Sequence, residues 1–98
     1  MLFGGWKINE NLKKNTSFEQ PVASASSDAV LEYTGVKIEI IDLLADQIVN
    51  GANYAFLAYV SPTVVDINAN KHLAVVIVHA PNGVTGEGAK VLSIETLF

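Results

Sequence analysis

The sequence feature that most restricts the fold is an Asn-Gly pair lying between two apolar strand patterns. Asn50 and Gly51 separate a pattern that ends at Val49 from one that covers residues 53–60. Both residues of the pair tolerate positive φ, which a two-residue turn between antiparallel strands requires. By local chemistry alone, the stretch from Gln47 to Gly51 therefore predicts a tight β-hairpin.

Strand patterns continue on both sides of this turn, so most of the chain after Gly35 is predicted to form a sheet. From residue 36, apolar and polar residues alternate, which is the period of a strand with one buried face. The phase slips at the adjacent residues Ile40 and Ile41, and such a slip predicts a β-bulge. The predicted strands cover residues 36–49, 53–60, 72–80 and 89–98, with loops over 61–71 and 83–88.

A single amphipathic helix is predicted ahead of the sheet, over residues 18–33. The four residues from Ser17 to Gln20 fit a capping box, and Gly35 supplies the stop. The Ala- and Ser-rich centre gives this helix a narrow apolar face, so a shorter helix that begins near Ser27 is the alternative.

One helix followed by four strands with short connections favours an antiparallel meander packed on the helix. This is an α+β fold, in a single domain over residues 1–98. Residues 1–16 are predicted to form an N-terminal tail, because Gly4 and Gly5 interrupt regular structure between an apolar tip and Trp6.

Composition argues against several classes of function and partner. The chain has 98 residues, a net charge of −4, no Cys and no Arg. An acidic chain without Arg is a poor match for nucleic acid or for a membrane surface, and the longest apolar run, Leu73 to Val78, is too short to cross a bilayer as a helix. The lack of Cys rules out disulfides and thiolate metal sites. Residues 1–7 do not form a signal peptide. Together with the lack of Cys, this predicts a cytoplasmic protein, and a secreted form is left open.

No set of residues in this sequence indicates catalysis, a cofactor or a metal site. His72 and His79 lie seven residues apart in one predicted strand, which places them on opposite faces of the sheet. The Gly-rich stretch over residues 83–90 lacks the Gly-Lys-Ser/Thr of a phosphate-binding loop. The carboxylates are scattered along the chain. We therefore expect a protein that is not an enzyme and uses no cofactor.

Four motifs, taken in order along the chain, resemble the cystatins, and among them the disulfide-free stefins. The Gln-x-Val-x-Gly pattern of that family is matched by residues 47–51, and the next three residues are similar to the stefin Thr-Asn-Tyr. The motifs are Met1–Gly5, Gln47–Gly51 with Ala52–Tyr54, His72–Leu73 with Ala80–Pro81, and Glu95–Phe98.

The resemblance implies a fold and an activity. The fold is one N-terminal helix packed on a four- to five-stranded antiparallel sheet. The activity is reversible, tight inhibition of papain-like cysteine proteases of the cathepsin type, by a wedge made of the tail and two hairpin loops. Leu2 and Phe3 would fill apolar pockets of the cleft, and Gly4 would let the chain pass close to the catalytic centre. The implied protease-binding residues are Leu2, Phe3, Gly4, Gln47, Ile48, Val49, Asn50, Gly51, Ala80 and Pro81.

Two local departures from the stefin pattern affect this expectation. The region from Gly35 to Gln47 is about two residues longer than the pattern, a difference that a β-bulge can accommodate. Ala80 stands where the family has a larger apolar residue, so we expect a weaker contact from the second loop.

The strands also look apolar on both faces, which predicts self-association as a homodimer or by strand exchange through the hinge over residues 47–51. The apolar residues expected to point outward are Leu57, Tyr59, Ala74 and either Val76 or Ile77. The alternative function is thus a non-inhibitory binding or assembly module that uses the apolar sheet face. A small enzyme or ligand-binding domain is a minor third possibility.

Overall fold

Five strands and one helix make up most of the residues that the computed structural model describes, which are 5–10, 20–32, 36–62 and 71–98. The strands form one antiparallel sheet in the order β1-β2-β3-β4-β5, so strands adjacent in sequence are adjacent in space. The elements are β1 (Trp6–Ile8), α1 (Gln20–Glu32), β2 (Val36–Val49), β3 (Gly51–Pro62), β4 (His72–Ala80) and β5 (Lys90–Thr96). The predicted α+β arrangement of one helix on an antiparallel sheet is confirmed.

Strand β1 is a correction, because residues 1–16 were predicted to form a tail. Three residues, Trp6 to Ile8, pair antiparallel with the end of β2 through the register Trp6 with Gln47 and Ile8 with Ala45. A strand of this length has no periodicity of its own in the sequence. It forms only because the open edge of β2 supplies hydrogen-bonding partners.

Helix α1 covers most of the predicted span, and the shorter alternative that begins near Ser27 is wrong. The predicted capping residue Ser17 and the predicted stop at Gly35 lie outside the described residues. The side chains that α1 buries are mostly small: Ala25 and Ala29 are fully buried, and Val22 lies beside them. Small residues let the helix approach the sheet closely, which gives the Ala-rich sequence its structural reason.

The predicted bulge in β2 is present, and a second one follows. Ile41 is the extra residue of the first bulge, since Ile40 pairs with Ala58 and the next pair in the register is Asp42 with Leu57. A further register shift lies between Leu43 and Ala45. A one-residue shift exchanges the two faces of a strand. The first bulge therefore turns Leu43 toward the helix, where it packs against the core.

The core lies between α1 and one face of the sheet. Its largest fully buried side chains are Phe56, Val76 and Val78. Ala74, which was predicted to point outward, belongs to this core, because it pairs with Ala58 on the helix side of β3. Of the two alternatives Val76 and Ile77, Val76 faces the helix and pairs with Phe56, so Ile77 is the one that points outward. Burial of a side chain such as Phe56 contributes about 1.5–3 kcal/mol.

The other face of the sheet carries the remaining alternate residues. Leu57, Tyr59 and Ile77 lie there, as predicted, and Tyr59 is 42% exposed. Within residues 5–10, 20–32, 36–62 and 71–98, the only helix packs on the opposite face. No helix in this part of the chain is long and apolar enough to cross a membrane.

Candidate functional site

The strand register brings three separate segments of the chain to one end of the sheet. Trp6 of β1 pairs with Gln47, the turn between β2 and β3 follows two residues later, and Ala52 of β3 pairs with Ala80 at the end of β4. We call this end the loop edge. It consists of residues 5–6, the first hairpin (residues 47–53) and the second loop (residues 80–88). Residues far apart in sequence thus form one continuous surface.

The first hairpin turns more tightly than the Asn-Gly pair predicts. Val49 pairs with Gly51, so Asn50 alone lies between the two strands. Ile48 is 88% exposed at this tip, and Val49 is also exposed. Because successive residues of a strand point to opposite faces, these two apolar side chains project from the two sides of the hairpin.

Gly51 has two independent reasons to be glycine. Its φ is +101°, a conformation that other residues rarely adopt. A Cβ atom at this position would also collide with the carbonyl oxygen of Ala80 and lie 2.8 Å from that of Pro81. The first hairpin and the second loop are therefore in direct backbone contact, which only a residue without a side chain permits.

The second loop is held by a set of local hydrogen bonds centred on Asn82. The Oδ1 atom of Asn82 accepts from the backbone N–H groups of Val84 (3.0 Å) and Thr85 (3.2 Å). The carbonyl oxygen of Asn82 accepts from Gly86 N–H at 2.8 Å. The loop is anchored to the helix by Gly88, whose N–H donates to Asp28 Oδ2 at 3.0 Å. These bonds fix a compact turn of the kind that Asn favours.

A row of polar side chains joins three strands at the base of the loop edge. Asn53 Nδ2 donates to Gln47 Oε1 at 2.9 Å, and His79 Nδ1 lies 2.7 Å from Asn53 Oδ1. These residues are cross-strand neighbours on the face away from the helix. The row ties β2, β3 and β4 together at the base of both loops.

The two histidines lie apart, as predicted. His72, at the other end of β4, has its Nδ1 atom 3.1 Å from the carbonyl oxygen of Phe98. His72 pairs with Val60 on the helix side, whereas His79 pairs with Asn53 on the outer side. Over the described residues, no cluster of three His, Cys, Asp or Glu side chains could hold a metal ion.

Most of the predicted binding residues meet at the loop edge. Gln47, the tip residues 48–51 and Pro81 all lie there, and Asn50 and Pro81 are exposed. Ala80 differs from these, because its side chain is fully buried in the core. Leu2, Phe3 and Gly4 lie outside the described residues. The adjacent Gly5 has φ of +83° and open space around it, at the end of β1 that points to the loop edge.

Sequence reasoning missed Val84. It is 82% exposed in the second loop, whereas the sequence indicated only a Gly-rich connection there. The available signal was Asn82, since an Asn side chain often accepts from the backbone two residues later and so predicts a compact turn that includes Val84.

Most of the loop edge carries no formal charge. Residues 47–53 and residues 80–86 contain no Asp, Glu, Lys, Arg or His, and the charged residue of the loop edge is Glu87, which is exposed near the end of the second loop. Burying residues 47–53 and 80–86 against a partner removes no ionised group of this chain from water, which is the costliest kind of desolvation. A stiff edge whose exposed tips are apolar and uncharged is suited to entering an apolar groove of another protein. Comparisons of the chain with protein-family models, with curated proteins and with solved structures gave no match.

Proposed function

We propose that this chain is a cystatin-like inhibitor of papain-like cysteine proteases, which blocks the active-site cleft with the loop edge. One observation supports this most directly. The N-terminal end of β1, the first hairpin and the second loop lie side by side at one end of the sheet, with Gly51 against the backbone of Ala80 and Pro81. That is the three-part arrangement that the sequence resemblance implies for a protease-blocking wedge.

In this proposal the inhibitor acts by occlusion and supplies no chemistry. Ile48 and Val49 contact the apolar walls of the cleft, and burial of a side chain such as Ile48 contributes about 1.5–3 kcal/mol. The second loop contributes through Pro81, because the Ala80 side chain is buried. A preformed edge loses little conformational entropy on binding, so more of the contact energy is retained as affinity.

The tail has a defined starting point for its role. The antiparallel pairing of β1 directs the chain from Ile8 back through Trp6 toward the first hairpin. Gly5, in open space with positive φ, lets the backbone change direction there. We propose that Leu2 and Phe3 fill apolar pockets beside the hairpin and that Gly4 passes over the catalytic centre.

The extra length before Gln47 does not displace the hairpin. Each of the two bulges in β2 contains one unpaired residue, so the additional length is accommodated before Gln47. The register is regular from the pair of Gln47 with Asn53 to the pair of Val49 with Gly51. The proposal thus keeps a tight hairpin despite a longer strand.

The decisive experiment is a titration of papain with the purified protein, measuring residual hydrolysis of a fluorogenic peptide. We expect reversible inhibition at submicromolar concentration, and a protein that remains uncleaved by mass spectrometry. Bound inhibitor should also protect the catalytic Cys of papain from iodoacetamide. Full papain activity at micromolar concentrations of this protein would reject the proposal.

The Ile48 side chain provides the matched variant. Ile48→Asp places a charge in the apolar cleft and should weaken inhibition by about tenfold or more, while thermal stability stays the same because Ile48 is 88% exposed. Deletion of residues 1–3 should weaken inhibition as well, since β1 begins only at Trp6. Unchanged inhibition by the deletion variant would remove the tail from the proposal.

Self-association through the outer sheet face is the second candidate function. Leu57 and Ile77 lie half-buried on this face, Tyr59 is 42% exposed and Ile8 is 55% exposed. Light scattering after size-exclusion chromatography should show a dimer at high micromolar concentration, formed by face packing or by strand exchange at the hinge. Replacing Leu57 and Tyr59 with Lys should restore the monomer, whereas Leu92→Lys on β5 should not. A wild-type chain that elutes only as monomer would exclude this candidate.

A further inference from the structure

We propose that Val84 is a specificity-determining contact of the second loop, which meets the wall of the protease cleft beside Ile48. This inference rests on the proposed inhibitory function and deepens it. The second loop then binds through a residue at its tip, whereas the sequence placed its contact at Ala80 and Pro81. The partner surface it fits is an uncharged, apolar wall.

Exposure identifies Val84 as a candidate without settling its role. The three most exposed large apolar side chains among the described residues are Ile48 at 88%, Phe98 at 84% and Val84 at 82%. Single exposed apolar residues are common on protein surfaces. What distinguishes Val84 is that it stands at the loop edge and that the backbone around it is held in place.

The position of Val84 follows from Gly83, its neighbour in sequence. A Cβ atom at Gly83 would lie 3.3 Å from the carbonyl carbon of Gly51 and 3.7 Å from the Cβ of Ala52. Ala52 pairs directly with Ile48, so their side chains project from the same face of the hairpin. Gly83 therefore lies against the hairpin on the Ile48 side, which places the exposed Val84 next to the segment that carries Ile48.

The hydrogen bonds of the loop hold Val84 at this place before any partner binds. Asn82 Oδ1 accepts from the N–H of Val84 itself at 3.0 Å, and Thr85 Oγ1 accepts from Glu87 N–H at 3.3 Å. The contact from Gly88 N–H to Asp28 Oδ2 fixes the far end of the loop on α1. An apolar residue presented by a braced loop loses little freedom on binding, so more of its contact energy is retained as affinity.

The chemistry of the loop defines which proteases it should favour. Residues 80–86, which include Val84, carry no charge, so this part of the loop offers no partner for a charged group on the cleft wall, and the exposed Glu87 lies three residues further along. A wall with a buried charge opposite Val84 would lose its hydration without compensation. We therefore infer tighter inhibition of proteases whose wall at this point is apolar.

The test compares Val84→Asp with Phe98→Asp, using the inhibition constant for papain. The two positions are equally exposed, and the hydrogen bonds between Leu73 and Phe98 place Phe98 at the opposite end of the sheet. We expect Val84→Asp to weaken inhibition by about tenfold or more and Phe98→Asp by less than about twofold. Val84→Thr, of nearly the same shape, should show a smaller loss and serves if the Asp variant unfolds.

The outcomes separate the two proposals. A wild-type protein that inhibits papain, with Val84→Asp and Val84→Thr both inhibiting equally well, overturns the inference and leaves the inhibitory function standing. A wild-type protein that does not inhibit papain rejects both.

A separate experiment tests whether Asn82 acts by positioning Val84. Asn82→Ala should weaken inhibition in the wild-type chain, and this loss should shrink toward zero in a Val84→Ala background. Coupling of this kind shows that Asn82 acts through Val84. An equal loss in both backgrounds would mean that Asn82 acts only on the fold.

Discussion

The two ends of the sheet differ in charge and in how tightly their segments are packed. At the loop edge, residues 47–53 and 80–86 carry no charge, and glycines bring two loops into backbone contact. At the far end, charged side chains surround Tyr59: Lys71 Nζ lies 3.5 Å from Glu39 Oε2 and 5.4 Å from the centre of the Tyr59 ring. The charged side chains make it costly to remove the far end from water, whereas residues 47–53 and 80–86 can be buried against a partner at a lower cost.

The difference shows which end of the sheet depends on precise atomic positions. Interactions at the loop edge depend on single atoms, because one added Cβ would strike another segment. Interactions at the far end are between long, exposed side chains that rearrange easily, and such ion pairs contribute little to stability. Substitutions at the two ends should therefore differ in cost, and the following experiments test this in order of expected effect.

The largest effect is expected for Gly51→Ala. The new Cβ meets the Ala80 carbonyl, and the residue must keep a φ of +101°, so strain and collision act together. We expect a loss of about 2–5 kcal/mol in the free energy of unfolding, measured by urea denaturation. Gly5→Ala is the control: its φ of +83° is similar, but nothing lies within 4 Å. Equal losses in the two variants would show that the loops are not in close contact.

An intermediate effect is expected for Asn53→Ala, at the base of the first hairpin. This change removes the hydrogen bond from Asn53 to Gln47 and the contact with His79. Two hydrogen bonds together correspond to about 1–3 kcal/mol of unfolding free energy, and the two loops should become more mobile relative to each other.

Urea denaturation and amide hydrogen exchange of residues 47–53 measure both effects of Asn53→Ala. The control is Ser93→Ala on the exposed part of β5. If Asn53→Ala and Ser93→Ala had the same free energy of unfolding, the row formed by Gln47, Asn53 and His79 would not contribute to stability.

The smallest effect is expected for Lys71→Gln at the far end. This change removes the ion pair between Lys71 and Glu39, whose side chains are 59% and 56% exposed. The loss in the free energy of unfolding should therefore be below about 1 kcal/mol. Added salt should shrink the difference between variant and wild type, because it screens an exposed ion pair, and inhibition of papain should not respond. A loss similar to that of Asn53→Ala would contradict the contrast between the two ends.

Features with a local cause were predictable from the sequence. The Asn50–Gly51 hairpin follows from turn chemistry, the first bulge from the adjacent isoleucines, and the helix from its spacing. The chain order of the strands followed from the short connections between them. These features depend on residues that are close in sequence.

Features set by the register between strands were not predictable. The run Leu73 to Val78 is apolar throughout, so no alternation indicates which of its residues face the helix. Ala74 was therefore assigned to the wrong face, and the choice between Val76 and Ile77 stayed open. The second bulge, beside Leu44, lies in an apolar stretch with no visible phase change.

Features set by contacts between distant segments were also hidden. Strand β1 exists only through its pairing with β2, and the exposure of Val84 depends on a loop braced by Asn82 and Asp28. Likewise, the burial of Ala80 follows from its pairing with Ala52.

The two bulges of β2 have a consequence for how the protein behaves at high concentration. Along Val36–Asp42, β2 is an edge of the sheet, because no strand among the described residues pairs with it on the side opposite β3. An unpaired edge of this kind is a template for edge-to-edge aggregation. Bulges twist an edge away from the flat geometry that an incoming strand requires. Asn9 covers the next part of the edge, because its N–H and Nδ2 groups donate to the carbonyl oxygens of Leu44 (2.8 Å) and Leu43 (2.7 Å). We therefore expect the irregularity that lengthens this strand also to make its edge a poorer template for fibrillation.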